Sequence, residues 1–218
     1  MKKYDVVVAG GGTAGVAAAF TCAKQGLKTL LIEKKIHLGG AMTSGLVLPV
    51  MNAGKSTINR EFFTELVKSM NEKGAQVTFQ GNEGWFNPEI LKIVLDDMLT
   101  SVGVEILFNS QIILSEYINT IGDHKFILKV DSLSEHIETL YLIDTTGDCE
   151  VGNILGVKFL EEEKNQPVSL RFIMSGIDMK KFAEFLRTVD DNKDVSPIEE
   201  IGGAIHLSTA YTWDENAI

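Results

Sequence analysis

Gly10, Gly12 and Gly15 have the spacing of a loop that cradles phosphates, G-x-G-x-x-G, directly after an apolar run. In such a loop the first glycine permits a tight turn, the second lets the backbone approach a pyrophosphate, and the third lets a helix pack closely on the preceding strand. A helix that begins at Thr13 or Ala14 would offer unpaired N–H groups and the positive end of its dipole to that pyrophosphate. The pattern therefore predicts a dinucleotide site.

Glu33, at the end of the next apolar run, supplies the acid that such a site needs. A carboxylate there accepts hydrogen bonds from a ribose hydroxyl pair, and its charge repels a 2′-phosphate, which disfavours NADP. The alternative is a glycine-rich turn without a ligand. The combination of strand, glycine loop, helix and acid favours the ligand, but it does not separate NAD from FAD.

A parallel sheet is needed to position these residues. Residues Tyr4–Ala9 form an apolar run without alternation, which is typical of a strand buried on both faces. Residues Thr13–Gln25 are mostly small helix formers followed by Gly26, and Lys28–Glu33 predicts the second strand. These segments together have the length of one βαβ unit.

The rest of the chain predicts a second helix-to-strand return, a meander and a change of character. Asn87-Pro88-Glu89 is a helix start, Gly103 ends that helix, and a strand follows over residues 104–108. Three strands are predicted over residues 111–118, 125–131 and 136–144. We predict an α/β fold with a Rossmann-like parallel sheet and an inserted β-meander in a dinucleotide-binding domain of residues 1–156. The beginning of an α+β substrate domain is predicted over residues 157–218.

Three further segments resemble a known family. Residues 33–45, EKKIHLGGAMTSG, resemble the Glu-Lys, Gly-Gly and Thr/Ser loop of the glutathione-reductase-type FAD-binding fold. In particular, they resemble the FAD-dependent oxidoreductases related to fumarate reductase flavoproteins. Residues 144–152, DTTGDCEVG, resemble that family's Asp-Ala-Thr-Gly-Asp turn, with Thr145 in place of the alanine. Residues 166–172 resemble the start of its substrate domain, so the chain looks like the N-terminal portion of such a protein.

The resemblance implies FAD as the cofactor and a small organic substrate that gives a hydride or an electron pair to it. It also implies that the glycine loop at 39–45 runs under the flavin end of FAD and that the backbone of Ile112 contacts the adenine. The cofactor-binding residues expected from motif and resemblance together are Gly10, Gly12, Thr13, Ala14, Gly15, Glu33, Lys34, Gly39, Gly40, Thr43, Ile112, Thr146, Gly147 and Asp148.

Two other functions are compatible with the sequence. One is a catalytically silent dinucleotide-binding fragment. The other is an NAD-binding protein similar to thiazole synthase, in which Cys149 would be the sacrificial thiol. No catalytic acid or base is identifiable. His37 has no partner visible in the sequence, and Arg171 on an alternating strand is better explained as a surface charge.

Composition excludes several classes of protein. The formal net charge of −10 argues against nucleic-acid binding, because nucleic-acid binders concentrate Lys and Arg on one face. The two cysteines have neither disulfide nor metal-ligand spacing, so we expect no metal and a reducing, cytoplasmic location. No apolar run approaches the roughly 18 residues that span a bilayer, so no membrane contact is expected.

The resemblance also predicts an incomplete sheet. In the family a later strand and helix return to the first domain with a second glycine turn, and nothing after Gly156 matches them. We therefore expect a fragment whose parallel sheet keeps an uncovered edge. Such an edge favours self-association or complementation by a missing C-terminal segment.

Overall fold

The fold is built on the strand–turn–helix–strand unit that the glycine motif predicts. The structure is a computed structural model that describes residues 1–48, 50, 60–79, 81–120, 123–160, 175–189, 198–201 and 204–207. Strand β1 is Lys2–Ala9, helix α1 is Thr13–Lys24 and strand β2 is Thr29–Ile32. Strands β1 and β2 are parallel, with Val7 opposite Leu30.

Two helices and a hairpin connect β2 to the next parallel strand. Helix α2 is Arg60–Glu72, β3 (Gln76–Phe79) and β4 (Asn82–Phe86) form a separate two-stranded sheet, and helix α3 is Pro88–Ser101. The predicted start of α3 is confirmed, because the Asn87 side chain accepts hydrogen bonds from the N–H groups of Glu89 and Ile90, at 2.9 and 3.3 Å. The hairpin was not predicted, because its glycines and charged residues break the apolar alternation of a strand. Strand β5, Glu105–Leu107, then pairs with β2 in parallel.

The meander is present, and it joins the parallel sheet through its last strand. Its strands are β6 (Ile112–Thr120), β7 (Asp123–Val130) and β8 (Ile137–Asp144). Strand β8 runs parallel to β1 along its whole length and antiparallel to β7 over its first residues only. The strand order is β5-β2-β1-β8-β7-β6, which confirms the predicted fold class.

Each face of the sheet has its own core. On one face, Val6 and Val8 of β1 pack with residues of α1, α2 and α3, among them the fully buried Leu66 and Leu95. On the other face, Val7 and Leu30 pack with meander residues, including the fully buried Leu128 and Val130. The meander therefore covers the face of the sheet that the helices leave open.

The second half of β8 has a free edge within the described residues. Strand β7 pairs with residues 137–139 of β8, whereas Tyr141–Asp144 pair only with β1 in the part of the chain that the structure describes. Leu140 and Tyr141 are exposed there. The edge is thus short, exposes two large apolar side chains and is bounded on one side by β7.

Beyond β8 lies helix α4, Glu150–Ile154, and then a second unit. The chain divides into a larger unit, Met1–Thr78 with Asn82–Ser169, and a smaller unit, Phe79–Gly81 with Leu170–Ile218. Within the smaller unit are helix α5 (Met179–Val189) and an antiparallel pair, β9 (Ile198–Ile201) and β10 (Ala204–Leu207). The expected start of the substrate domain at 166–172, with Arg171, lies outside the described residues. The boundary near residue 156 and the partial substrate domain remain a proposal.

Candidate cofactor site

A cavity of about 520 Å³ opens where the carboxyl ends of β1, β2 and β8 meet. Strands β2 and β8 lie on opposite sides of β1, so the chain direction around the sheet reverses at this point. In open α/β sheets this switch point is where ligands bind. The residues that line the cavity are Ala9, Gly10, Gly12, Thr13, Ala14, Ile32, Glu33, Lys34, Lys35, Gly40, Ala41, Ser44, Gly45, Ser110, Gln111, Ile112, Thr145, Thr146, Gly147, Glu150 and Val151.

Two glycines let the turn after β1 and the start of α1 pack against each other. Gly10 has a φ of +96°, and a Cβ atom there would lie 2.5 Å from the Thr145 carbonyl oxygen. A Cβ atom at Gly15 would overlap the Gly10 carbonyl oxygen. Gly15 does not line the cavity, and its position fits the predicted role of bringing α1 close to β1.

Gly12 leaves open space in front of the helix N-terminus. It is the N-cap of α1 and provides no side-chain cap, so the first N–H groups of the helix have no partner within it. A Cβ atom at Gly12 would meet nothing within 4 Å, and Thr13 and Ala14 line the same wall. The unpaired donors, the helix dipole and the open space suit a diphosphate.

Glu33 is held in place by the backbone on both of its oxygens. The Gly11 N–H donates to Oε2 at 2.6 Å, and the Lys35 N–H donates to Oε1 at 2.8 Å. The residue is buried, at 7% exposure, and it lines the cavity. Because each carboxylate oxygen accepts more than one hydrogen bond, both retain capacity for a ribose hydroxyl.

The loop at 39–45 closes over the glycine turn. The Gly39 N–H donates to the Gly11 carbonyl oxygen at 2.8 Å, and Gly39 has a φ of +102° at the start of a 3₁₀ turn, Gly40–Met42. A Cβ atom at Gly40 would lie 2.9 Å from the Gly12 Cα atom. Thr43 is buried, and its hydroxyl donates to the Leu38 carbonyl oxygen at 2.6 Å. Gly39 and Thr43 therefore fix the conformation of the loop without lining the cavity, while Gly40 lines it.

Thr145 ties the second turn to the first. Its hydroxyl lies 2.8 Å from the carbonyl oxygens of both Ala9 and Gly10, so it donates one shared hydrogen bond to the end of β1. The alanine that the resembled family has at this position cannot make this bond. The departure from the family pattern thus adds a polar contact between the two turns.

Asp144 organises the turn from Thr146 to Gly152. It accepts hydrogen bonds from the Thr146 N–H at 3.0 Å, the Thr146 hydroxyl at 2.7 Å and the Gly152 N–H at 2.8 Å. Burial alone would raise the pKa of Asp144, but these hydrogen bonds outweigh burial and hold the pKa below its usual value. The carboxylate is ionised at neutral pH and fixes the backbone that presents Thr146 and Gly147 to the cavity.

Lys34 and Glu150 form an ion pair at the edge of the cavity. The two side chains are 2.9 Å apart and about half exposed, and both residues line the cavity. The hydrogen bond and the charge of Glu150 raise the pKa of Lys34, and the charge of Asp148 acts in the same direction. Asp148 is exposed and does not line the cavity.

The opposite wall comes from the end of β5 and the start of the meander. Ile112 is buried and lines the cavity together with Ser110 and Gln111, and its contact with the adenine stays a prediction. The Ser110 N–H donates to the Glu33 carbonyl oxygen at 3.1 Å, which holds this wall against the end of β2. Sequence reasoning missed Ser110 and Gln111, although their place after a parallel strand puts them at the same edge of the sheet as Glu33.

Most of the predicted residues meet at this one cavity. Gly15, Gly39, Thr43 and Asp148 are the predicted residues that do not line it. The residues that sequence reasoning missed include Ser44, Glu150 and Thr145. Ser44 lies within the quoted loop, so its type and place were the available signal. Glu150 became recognisable only through its contact with Lys34.

Neither cysteine takes part in the cavity wall. Cys149 is exposed, has a φ of +54° and precedes α4, and Cys22 lies on α1. Nothing in these positions supports the sacrificial thiol of the thiazole-synthase hypothesis. Within the described ranges, no cluster of three His, Cys, Asp or Glu side chains could hold a metal ion. Within the same ranges, no helix is long and apolar enough to cross a bilayer.

The fold and the cavity define a dinucleotide-binding domain of the flavoprotein type. The chain belongs to the FAD dependent oxidoreductase family, whose sequence profile matches residues 5–214. FAD is the cofactor of this family, and the open Gly12 cradle, the uncapped helix N-terminus and the fixed Glu33 carboxylate fit its pyrophosphate and ribose.

Known relatives share parts of this chain. It is 41% identical over 70 residues to digeranylgeranylglycerophospholipid reductase of Thermoplasma acidophilum, which covers 31% of this chain and 18% of the relative. It is 30% identical over 121 residues to NADH:fumarate oxidoreductase of Klebsiella pneumoniae. The aligned segment covers 56% of this chain and 12% of the relative. The chain thus spans less than a fifth of the length of each of these relatives.

A solved structure shares the fold. L-Proline dehydrogenase from P. horikoshii superposes with a TM-score of 0.52 at 15% identity, over 72% of this chain and 57% of that protein. At this identity the similarity concerns the fold alone.

Proposed function

We propose that this chain binds FAD in the cavity at the ends of β1, β2 and β8, as part of an oxidoreductase that acts on a small organic molecule. The observation that carries the proposal is the open space at Gly12, in front of an uncapped helix N-terminus and on the same cavity as the buried Glu33. When bound, FAD supplies an acceptor for a hydride or an electron pair. The chain's own residues supply binding and orientation.

Each wall of the cavity has a distinct part in the proposal. The N–H groups of Thr13 and Ala14 would bind the pyrophosphate, and the Glu33 carboxylate would accept hydrogen bonds from the ribose. Ile112 would contact the adenine, while Gly40 lets the loop approach the cofactor closely. Thr146 and Gly147 would line the far side, with Asp148 and Lys34 at the rim. Gly10, Gly15, Gly39 and Thr43 would keep the two turns in the shape that these contacts need.

Reduction of the bound flavin separates an oxidoreductase from a silent binding module. The protein is loaded with FAD and mixed anaerobically with NADH or with another small organic donor. The absorbance of the visible flavin band is then recorded in a stopped-flow instrument. NADH is the first donor because the Klebsiella relative is named for it. We expect bleaching by at least one donor at a rate above that of free FAD. FAD binding without acceleration by any donor would favour the silent module.

We also propose that the free edge of β8 over Leu140–Asp144 accepts a strand from outside the described part of the chain. The edge is bounded by β7, which pairs with the preceding residues of β8. If a second copy paired its own β8 with this edge, its β7 would have to lie where the first copy's β7 already bounds the edge. A single complementing segment therefore fits better than a symmetric dimer. We expect a monomer by light scattering at micromolar concentration. A dimer that Tyr141→Lys dissociates would assign the edge to a second copy instead.

We also propose a cytoplasmic location for the protein. Cys22 and Cys149 are both free thiols, and a reducing compartment keeps them so.

A further inference from the structure

His37 has a partner in the structure that the sequence did not reveal. Its Nε2 atom lies 2.8 Å from the hydroxyl oxygen of Ser44, across the loop that closes over the glycine turn. Ser44 lines the cavity, whereas His37 is partly buried and does not line it. The pair therefore connects a titratable ring to a hydroxyl on the cavity wall.

The backbone fixes Ser44 beside the predicted pyrophosphate site. The Ser44 N–H donates to the Gly40 carbonyl oxygen at 2.9 Å. Gly40 in turn packs on Gly12, the N-cap of α1, so closely that a Cβ atom at Gly40 would lie 2.9 Å from the Gly12 Cα atom. Ser44 thus belongs to the part of the wall that adjoins the helix N-terminus.

We propose that His37 is a positioning residue that makes the Ser44 hydroxyl a proton-controlled hydrogen-bond donor to the diphosphate and adjoining oxygens of FAD. This inference rests on the proposed function, because it needs FAD in the cavity. It goes beyond that function, since it assigns a pH dependence to binding and names the two residues that cause it.

The chemistry follows from the number of protons on the ring. A protonated imidazole carries N–H groups on both nitrogens, so Nε2 donates to the Ser44 oxygen and the Ser44 proton is free to point into the cavity. A neutral ring can leave Nε2 without a proton, and the Ser44 hydroxyl then donates to the ring. Protonation of His37 therefore turns the hydroxyl proton from the ring towards an anionic ligand.

The charges around His37 set the pH range. Burial lowers the pKa of His37, and so do the positive charges of Lys92 on α3 and Lys35, while Glu33 and Glu89 oppose them with a smaller effect. In the free protein the His37 pKa therefore lies below its usual value. A diphosphate that receives the Ser44 hydrogen bond favours the protonated ring, so the complex binds the proton more tightly than the free protein does. By linkage, FAD affinity rises as the pH falls through the His37 pKa of the complex and levels off below the lowered pKa of the free protein.

The test is the pH dependence of the FAD dissociation constant, measured by calorimetry. We expect binding to be about fivefold tighter at about pH 5 than at about pH 8, the size of one charge-assisted hydrogen bond with partial exposure. In His37→Gln the side chain does not titrate, so FAD affinity should be the same at both pH values. In Ser44→Ala affinity should stay near the weaker value at both. His124→Gln, exposed on β7, is the matched control and should keep the wild-type pH dependence.

The outcomes distinguish this inference from the function on which it rests. If Ser44→Ala keeps the wild-type pH dependence, the ring acts directly by its charge and the inference is wrong, while the FAD site stands. If His37→Gln keeps that dependence, another group titrates and the inference is again wrong. If the wild-type protein binds no FAD at any pH, the proposed function itself fails and the inference falls with it.

Discussion

Gly12→Ala is expected to weaken FAD binding by about 100-fold or more and to change the free energy of unfolding by no more than about 1 kcal/mol. The reason is the direction of the new methyl group. A Cβ atom at Gly12 meets no protein atom within 4 Å, so the folded protein accommodates it. Because Gly12 is the N-cap of α1 and lines the cavity, we expect the same methyl group to occupy space that the diphosphate needs. Calorimetric titration with FAD and urea unfolding measure the two effects.

Gly152→Ala is the matched control for this substitution. It adds the same methyl group in α4, where the nearest atoms are at 3.6 Å or more, and Gly152 does not line the cavity. Its N–H group, which binds Asp144, is unchanged. We expect FAD affinity within about twofold of the wild type, because no contact of the cavity changes. Equal FAD affinities for Gly12→Ala and Gly152→Ala would contradict the placement of the diphosphate.

Glu33→Gln is expected to lower FAD affinity by about 30-fold and to destabilise the protein by about 1–3 kcal/mol. The carboxylate accepts the N–H groups of Gly11 and Lys35 on its two oxygens. An amide has only one oxygen, so its NH₂ group must face one of these donors, and the turn loses a buried hydrogen bond. The ribose hydroxyls lose a charged acceptor at the same time. Calorimetry and urea unfolding again report the two effects.

Glu150→Gln is the control for Glu33→Gln. It also removes one negative charge from the cavity wall, but at a different position. Glu150 also lines the cavity, but it is half exposed and pairs with Lys34. Surface ion pairs of this kind contribute little, so we expect less than about a threefold change in FAD affinity. If Glu150→Gln and Glu33→Gln lowered the affinity equally, Glu33 would act only through the net charge of the cavity and the ribose assignment would be wrong.

The elements around the cavity could be predicted because local sequence determines them. A few neighbouring residues determine the strand before Gly10 and the helix cap at Asn87, and both are present as predicted. The meander followed from three apolar segments with polar turns between them. The hairpin β3–β4 and the pair β9–β10 were missed, because short strands with charged residues lack the alternation that marks a half-buried strand.

The cavity itself could be predicted only in part, for a different reason. Glu33 and the glycines are recognisable from spacing, since their roles depend on the backbone of one βαβ unit. The hydrogen bond from Thr145 to the end of β1 and the ion pair of Lys34 with Glu150 join residues more than a hundred positions apart. The contact of His37 with Ser44 is local, but it depends on how the loop folds over Gly12. These contacts cannot be recognised from the spacing of residue types in the sequence.

The central claim is that FAD binds at the N-terminus of α1 between Gly12 and Glu33. The most direct test is a map of backbone amide chemical shifts during titration of the ¹⁵N-labelled chain with FAD, with Gly12→Ala measured in parallel. We predict that the amides of Gly12, Thr13 and Ala14 move together with those of Gly11 and Lys35, and that these changes disappear in Gly12→Ala. Changes confined to other parts of the chain, or an identical map for Gly12→Ala, would contradict the claim.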